Sequence, residues 1–323
     1  YVYKTQDHGK RSAAASAGLS LMWDTELGLS HIDKFTYSSN EFVKAGALLA
    51  YGILHNGVRT EMDAPLALLS EHVESKSAPL QHSSVVGLGL AYAGAHREEV
   101  MALLLPYVQD ESTSMSTAAL CALALGGVFI GSAHDEIVPS ILHTMMERDP
   151  SQLDDKWMRF MSLGLALLFL GKQDASDATI EALKAIDHPV SRETQILVDA
   201  CSYAGTGNVL KIQTLLHYCA EHVTNEAKKE GDDSQMAEDA TEESRDLYQA
   251  FSVLAIALVA MGEDVGAEMT LRHMSHLMHY GDPVIRRTVP LALALLNRAS
   301  PESSVLARLR KYGHDRARDE AGL

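Results

Sequence analysis

A short apolar motif that ends in glycine recurs along this chain at nearly constant spacing. One copy reads SVVGLGLAYAG, and the others share its mixture of Ala, Leu, Val and Gly. The copies end at Gly57, Gly94, Gly131, Gly171, Gly205, Gly262 and Ala299. Successive ends are 37, 37, 40, 34, 57 and 37 residues apart. A period of this length predicts a repeat protein, in which each unit buries its apolar face against its neighbours.

Each copy predicts a pair of helices joined by a glycine turn. The motif is apolar nearly all round, which indicates a buried helix, and an amphipathic helix such as REEVMALLLPYV follows it. The final glycine is expected at the helix C′ position, where positive φ is needed, and the earlier small residues allow backbones to approach closely. The predicted fold is all-α: a curved α-solenoid or toroid with two concentric helix layers, forming one domain over residues 1–323.

Composition and charge limit the functions that such a fold could serve. Only 6% of the residues are aromatic, against 46% apolar, which suits closely packed helices. The formal net charge of −16 disfavours nucleic acid and anionic membranes and favours a partner with a basic face. No apolar run typical of a membrane span or signal peptide occurs, so we expect an intracellular chain. The three cysteines are too scattered for a disulfide framework and are expected to be reduced and partly buried.

The one long spacing contains a strongly acidic segment. Residues 221–246 hold ten acidic and three basic side chains and few apolar ones. Such a composition cannot offset the entropy that is lost on ordering. Residues 222–246 are therefore expected to be a disordered insert within one repeat.

Several strings resemble the proteasome/cyclosome repeats of the large non-ATPase subunits of the 26S proteasome regulatory particle. The resemblance rests on IDKFTYSSNEFVKAGALLAYGI, GLGLAYAGAHREEVMALLLP and YAGTGNVLKIQTLLHYCAEH, and it covers nearly the whole chain. It implies a non-catalytic scaffold without cofactors, located in the cytoplasm and nucleus. The implied partners are ubiquitin, the ubiquitin-like domains of shuttle factors, a deubiquitinase and the ATPase ring of the proteasome.

An acidic stripe on one amphipathic helix is the candidate binding surface. In SAHDEIVPSILHTMMERD, residues Glu136, His143 and Glu147 are separated by seven and four positions, which places them within about 20° of one line on a helix. Asp135 is a candidate N-cap, and Pro139 is close enough to the helix start to be tolerated. The family resemblance implies that this stripe meets the basic, apolar-centred face of ubiquitin and ubiquitin-like domains.

A second candidate surface follows from the resemblance alone. The string DTELGLSHIDK is similar to the region in which the family docks a deubiquitinase. Gly28 and Leu29 fit the family pattern, whereas Glu26 and Ser30 depart from it. These four residues are the candidate deubiquitinase contacts.

No pattern typical of catalysis or metal binding emerges. His273, His276 and His279 are spaced three apart, but no Cys or carboxylate is suitably placed among them, which favours surface histidines over a metal site. Two alternatives stay open: a paralogous proteasome scaffold subunit without the receptor stripe, and an enzyme built on an α/α-toroid. The enzyme would require carboxylates or metal ligands on the apolar helices, and these helices are almost free of charge.

Overall fold

The structure is a computed structural model that describes residues 5–58, 63–221, 247–298 and 303–314. The chain divides into two compact units: unit 1 is Tyr1–Phe169 and unit 2 is Leu170–Leu323. The acidic insert at 222–246 lies outside the described residues. A single continuous domain over residues 1–323 stays a prediction.

Unit 1 consists of stacked helix pairs. Its described residues form α1 Asp7–Ser20, α2 Thr25–Thr36, α3 Glu41–Leu54, α4 Ala64–Val73, α5 Ala78–Ala91, α6 Glu98–Gln109, α7 Met115–Val128, α8 Ile137–Glu147, α9 Pro150–Leu153 and α10 Met158–Leu168. The first helices of the pairs, α1, α3, α5, α7 and α10, pack side by side in chain order. Helices α2, α4 and α6 pack on this layer, and α8 packs against α6 and α10.

Unit 2 repeats the same plan. Its described residues form a 3-10 helix at Gln173–Ser176, then α11 Asp177–Leu183, α12 Pro189–Ser202, α13 Val209–Ala220, α14 Leu247–Ala260, α15 Asp264–Tyr280, α16 Pro283–Leu296 and α17 Ser303–His314. Helices α12, α14 and α16 pack side by side, and α13 and α15 pack against α14. The described residues contain helices and turns but no strand, so the predicted all-α helical-repeat fold is confirmed.

The first helices α3, α7, α10, α12 and α14 are largely buried, as their composition predicts, whereas α1 buries only three of its fourteen residues and α16 only five. In α7, eleven of the fourteen residues are buried, and most of these are Ala, Leu, Gly or another small side chain. Small side chains let the helices of this layer lie close together, so the core needs few aromatic residues. Within the described ranges, every helix is too short or too polar to cross a membrane.

The repeat-ending glycines adopt the positive φ that the sequence predicts, but one position later than expected. Helix α5 ends at Ala91 and its C-cap is Tyr92, so Gly94 lies one residue beyond C′. Its φ is +66°. Positive φ also occurs at the other described repeat ends, which are Gly57, Gly131, Gly171, Gly205 and Gly262. The predicted role of these glycines as turn residues is confirmed, and the predicted C′ register is wrong at Gly94.

Four of these turns, at Gly94, Gly131, Gly171 and Gly205, also tie one repeat to the next through the backbone. The amide of Gly94 donates to the carbonyl of Gly127 (2.9 Å), and the amide of His96 donates to Val128 (3.1 Å). Equivalent pairs run from Gly131 and Ala133 to Leu167 and Leu168, and from Gly205 and Gly207 to Leu258 and Val259. Because the last carbonyls of a helix have no partner within it, these bonds satisfy groups that would otherwise be orphaned.

Candidate functional site

The helix that bears the predicted acidic stripe is held firmly on one side. In α8, Ile137, Ile141 and Met145 are buried at helical spacing. The hydroxyl of Thr144 donates to the carbonyl of Val108 at the end of α6 (2.9 Å). These contacts fix the rotation of α8 about its own axis, so that the opposite face is presented to solvent.

A buried arginine anchors the end of α8. The side chain of Arg148 donates to the backbone carbonyls of Asp110, Glu111 and Thr113, each at 3.0 Å. A charged group is buried at low cost only when it is hydrogen-bonded in this way. Arg148 therefore joins the C-terminal end of α8, next to Glu147, to the loop that follows α6.

The three predicted stripe residues are all exposed. His143 and Glu147 lie one turn apart, and His143 Nδ1 is 2.8 Å from Glu147 Oε2. Glu136 stands at the N-cap position of the same helix, two turns before His143. The structure thus brings His143 and Glu147 into contact and leaves Glu136 separate at the other end. Their role as a ubiquitin-binding site stays a prediction.

One apolar residue on this face was missed by the sequence analysis. Met146 is 49% exposed and lies one turn after His143, about 60° from it around the helix axis. The sequence could have indicated its exposure, because Met146 lies outside the helical line of Ile137, Ile141 and Met145. This exposed methionine adds an apolar contact to the end of the stripe that His143 and Glu147 form.

The predicted N-cap of α8 is wrong. Asp135 lies one residue too early, because α8 begins at Ile137 and Glu136 occupies the N-cap position with φ −99° and ψ −40°. The Glu136 amide instead donates to Nδ1 of His134 (3.2 Å). The side chain of Glu136 makes no capping bond and remains free to meet a partner.

The second candidate surface lies on α2, which Asp24 caps by accepting a bond from the Leu27 amide (3.3 Å). Glu26 and Ser30 are exposed and Leu29 is partly buried. Gly28 is buried, and a Cβ atom added there would lie 2.5 Å from Leu54 Cδ1. Close packing against Leu54 therefore accounts for the glycine. Nothing in this geometry tests a deubiquitinase contact.

The three candidate histidines lie on a helix surface, and the three cysteines lie in the core. His273, His276 and His279 are exposed on α15. Within the described ranges, no cluster of three His, Cys, Asp or Glu side chains could hold a metal. The cysteines Cys121, Cys201 and Cys219 are free and buried, and burial raises their pKa values to about 12, 11 and 12. They are inert thiols at neutral pH.

Helix α12 contradicts the expectation that the first helices of the pairs are almost free of charge. This helix carries Arg192, Glu193 and Asp199. Arg192 donates two hydrogen bonds to the carboxylate of Glu221 (2.7 and 2.8 Å), and Asp199 accepts one from Lys211 (2.7 Å). Arg192 and Asp199 join α12 to α13 and to the residue that follows it, rather than forming a catalytic pair with each other.

Stacked helix pairs define a helical-repeat protein, and comparisons with known proteins specify its family. The sequence profile of the proteasome/cyclosome repeat matches residues 83–117. The 26S proteasome regulatory subunit rpn1 of Schizosaccharomyces pombe is 48% identical over 321 residues, which cover 99% of this chain and 34% of that protein.

Two further relatives are also named as regulatory subunits of the 26S proteasome. Rpn-1 of Neurospora crassa, also named a 26S proteasome regulatory subunit, is 44% identical over 98% of this chain and 34% of its own length. The 26S proteasome non-ATPase regulatory subunit 2 of Dictyostelium discoideum is 40% identical over 97% of this chain and 33% of its own length. The chain belongs to the family of these proteasome regulatory subunits, and it spans about a third of their length.

Proposed function

We propose that this chain is the repeat region of a non-catalytic scaffold in the 26S proteasome regulatory particle. We further propose that the exposed face of α8 docks ubiquitin and the ubiquitin-like domains of shuttle factors. The scaffold role is supported by identity of 40–48% over nearly the whole chain to proteins named as regulatory or non-ATPase subunits. These names also speak against the α/α-toroid enzyme.

One observation carries the docking proposal: the exposed line of Glu136, His143 and Glu147 with Met146 beside it, on a helix whose opposite face is immobilised. Ubiquitin and ubiquitin-like domains present a small apolar centre ringed by basic residues. An exposed methionine with carboxylates along the same helix complements that pattern, and such complementarity mainly speeds and orients docking. A contact confined to one helix face is small, so we expect weak binding that salt weakens further.

The direct test is a titration of isotope-labelled ubiquitin with the full chain, followed by amide chemical shifts. Replacing Glu136 and Glu147 with Arg sets like charges against the basic rim, so we expect the Kd at this site to rise at least about tenfold. The matched control is Glu71→Arg with Glu74→Arg, which changes the charge of unit 1 equally at exposed positions around the end of α4. Equal binding by the two double variants would contradict the assignment.

The other proposed partners are a deubiquitinase at α2 and the ATPase ring. The exposure of Trp23 and Leu27 beside Glu26 and Ser30 supports the first, because an apolar contact surface is present there. A location in the cytoplasm and nucleus belongs to the same proposal. If Glu26→Arg with Leu27→Ser leaves capture of the deubiquitinase unchanged, the α2 assignment is wrong.

A further inference from the structure

A second exposed apolar patch lies in unit 2, far along the sequence from α8. It consists of the first turn of α13 and the first two turns of α15. The exposed fractions are 58% for Val209, 74% for Leu210, 73% for Val265 and 52% for Met269. We name these four residues the α13–α15 patch.

A close backbone approach brings the two helix starts together. The amide of Gly207 donates to the carbonyl of Val259 at the end of α14 (2.8 Å). A Cβ atom added to Gly207 would lie 2.7 Å from Glu263 Cγ. Val209 lies two residues after Gly207, and Val265 lies two residues after Glu263. The starts of α13 and α15 therefore lie close to each other.

The patch is not required for the core of unit 2. Helix α15 buries Thr270, Met274 and Met278, whereas Val265 and Met269 follow a separate line at i and i+4. Helix α13 likewise buries a different set, Ile212, Leu215 and Cys219. Large apolar side chains grouped in solvent are typical of an interaction site, because isolated ones are common but contiguous patches are not.

The surroundings of the patch are acidic. Glu268 lies one turn after Val265 on the helix surface, Asp264 precedes Val265 in the same turn, and both carboxylates are exposed, as is Glu263. The nearest cation on α13, Lys211, is engaged elsewhere, since its Nζ lies 2.7 Å from Asp199 Oδ1. The acidic portion ends about one turn beyond Met269, where α15 continues with Arg272 and His273.

We propose that the α13–α15 patch is a second docking surface for a domain of the ubiquitin class, with its apolar centre on Val265 and Met269 and its basic rim on Asp264 and Glu268. The inference rests on the function proposed above, since it assigns the same partner chemistry to a surface with the same combination of carboxylates and exposed apolar side chains. The two surfaces lie in different units, so they are mutated independently.

The test uses labelled ubiquitin and the full chain with Glu136→Arg and Glu147→Arg, which disables the α8 face. We expect residual amide shifts with this variant. Adding Val265→Ser and Met269→Ser should abolish these shifts, because the apolar centre is lost. Adding Leu291→Ser instead is the matched control, since Leu291 is an exposed leucine on α16, outside the patch. Exposed substitutions change stability by only about 0.5 kcal/mol, so all variants should melt within a few degrees of the wild type.

The outcomes separate the two proposals. If the α8 variant shows no residual shifts while the wild-type chain binds, the α13–α15 patch is not a docking surface and the α8 assignment stands. If the α8 variant binds as the wild type does and Val265→Ser with Met269→Ser in the wild-type background abolishes binding, the patch stands and the α8 assignment is wrong. If the wild-type chain produces no shifts in ubiquitin, both are wrong.

Discussion

The two units join their apolar helices in different ways. In unit 1, neighbouring first helices touch backbone to backbone at glycines: Gly52 of α3 meets Gly87 of α5, and Gly126 of α7 meets Gly164 of α10. A Cβ atom added at Gly126 would lie 2.7 Å from Gly164 Cα. In unit 2, helices α12, α14 and α16 contain no glycine. Their spacing must therefore be set by larger side chains.

Unit 2 contains a stacked ion pair that joins its helices. The guanidinium of Arg192 binds the Glu221 carboxylate and lies over the rings of Tyr218 and Tyr248, at 4.6 and 4.0 Å. The Tyr248 hydroxyl donates to the same carboxylate (3.1 Å). The same repeat frame thus accommodates two kinds of contact: one is sensitive to added volume and the other to lost charge.

The largest expected effect comes from adding one methyl group in unit 1. Gly126→Ala places its Cβ against the backbone of Gly164, which cannot move aside cheaply, so we expect a loss of about 3 kcal/mol in the free energy of unfolding. The adjacent Gly127 is the control, because its added Cβ would meet only the Gly89 carbonyl at 3.8 Å. Gly127→Ala should be neutral or stabilise by about 0.5 kcal/mol through helix propensity. Denaturant unfolding that shows equal effects would refute the close-approach explanation.

A smaller effect is expected from removing the arginine in unit 2. Arg192→Gln loses a partly exposed ion pair and two stacking contacts, for which we expect about 1 kcal/mol after solvent screening. Arg298→Gln is a suitable control, since Arg298 is exposed in the same unit. Equal unfolding free energies for the two variants would show that the stacked pair does not stabilise unit 2.

The pH dependence of unit 2 should report the same ion pair. Burial alone would raise the pKa of Glu221, but hydrogen bonds from Arg192 and Tyr248 and the charge of Arg192 outweigh it and hold the pKa below the ordinary value of 4.5. A carboxyl group with a lowered folded-state pKa stabilises the fold above its unfolded pKa, and this stability is lost as pH falls through the folded value. We expect Arg192→Gln to flatten the loss of stability below about pH 4.5. An unchanged acid profile would contradict this account of Glu221.

The smallest effect is expected at the second residue of a repeat turn. Ala133 has φ +53°, whereas the equivalent residue in unit 2 is Gly207 with φ +63°. Because alanine is strained in this conformation, Ala133→Gly should stabilise unit 1, by about 0.5 kcal/mol once the greater freedom of glycine in the unfolded chain is subtracted. A lower melting temperature for this variant would show that the positive φ of Ala133 does not destabilise unit 1.

The repeat frame was predictable because the period gives the approximate position of each turn. The backbone conformation of individual turn residues was not predictable in the same way. The positive φ at Gly131 follows from its place after an apolar helix. The left-handed Ala133 does not, since only contact with the next repeat imposes that conformation. Similarly, the 100° rule aligned Glu136, His143 and Glu147, but the exposure of Met146 depends on which neighbours cover α8. The charges on α12 are visible in the sequence, but their pairing was not predictable because the partners Glu221 and Lys211 lie on other segments.

The most direct measurement of the central claim is zero-length cross-linking of the full chain to ubiquitin with a carbodiimide, followed by peptide mass spectrometry. This reagent couples a carboxylate to a lysine amine only where the two are in contact. We expect cross-links at Glu136 or Glu147, suppressed by high salt, with none at Glu71 or Glu74. Cross-links found at Glu71 and Glu74 with none on α8 would contradict the claim that this helix presents the ubiquitin-binding surface.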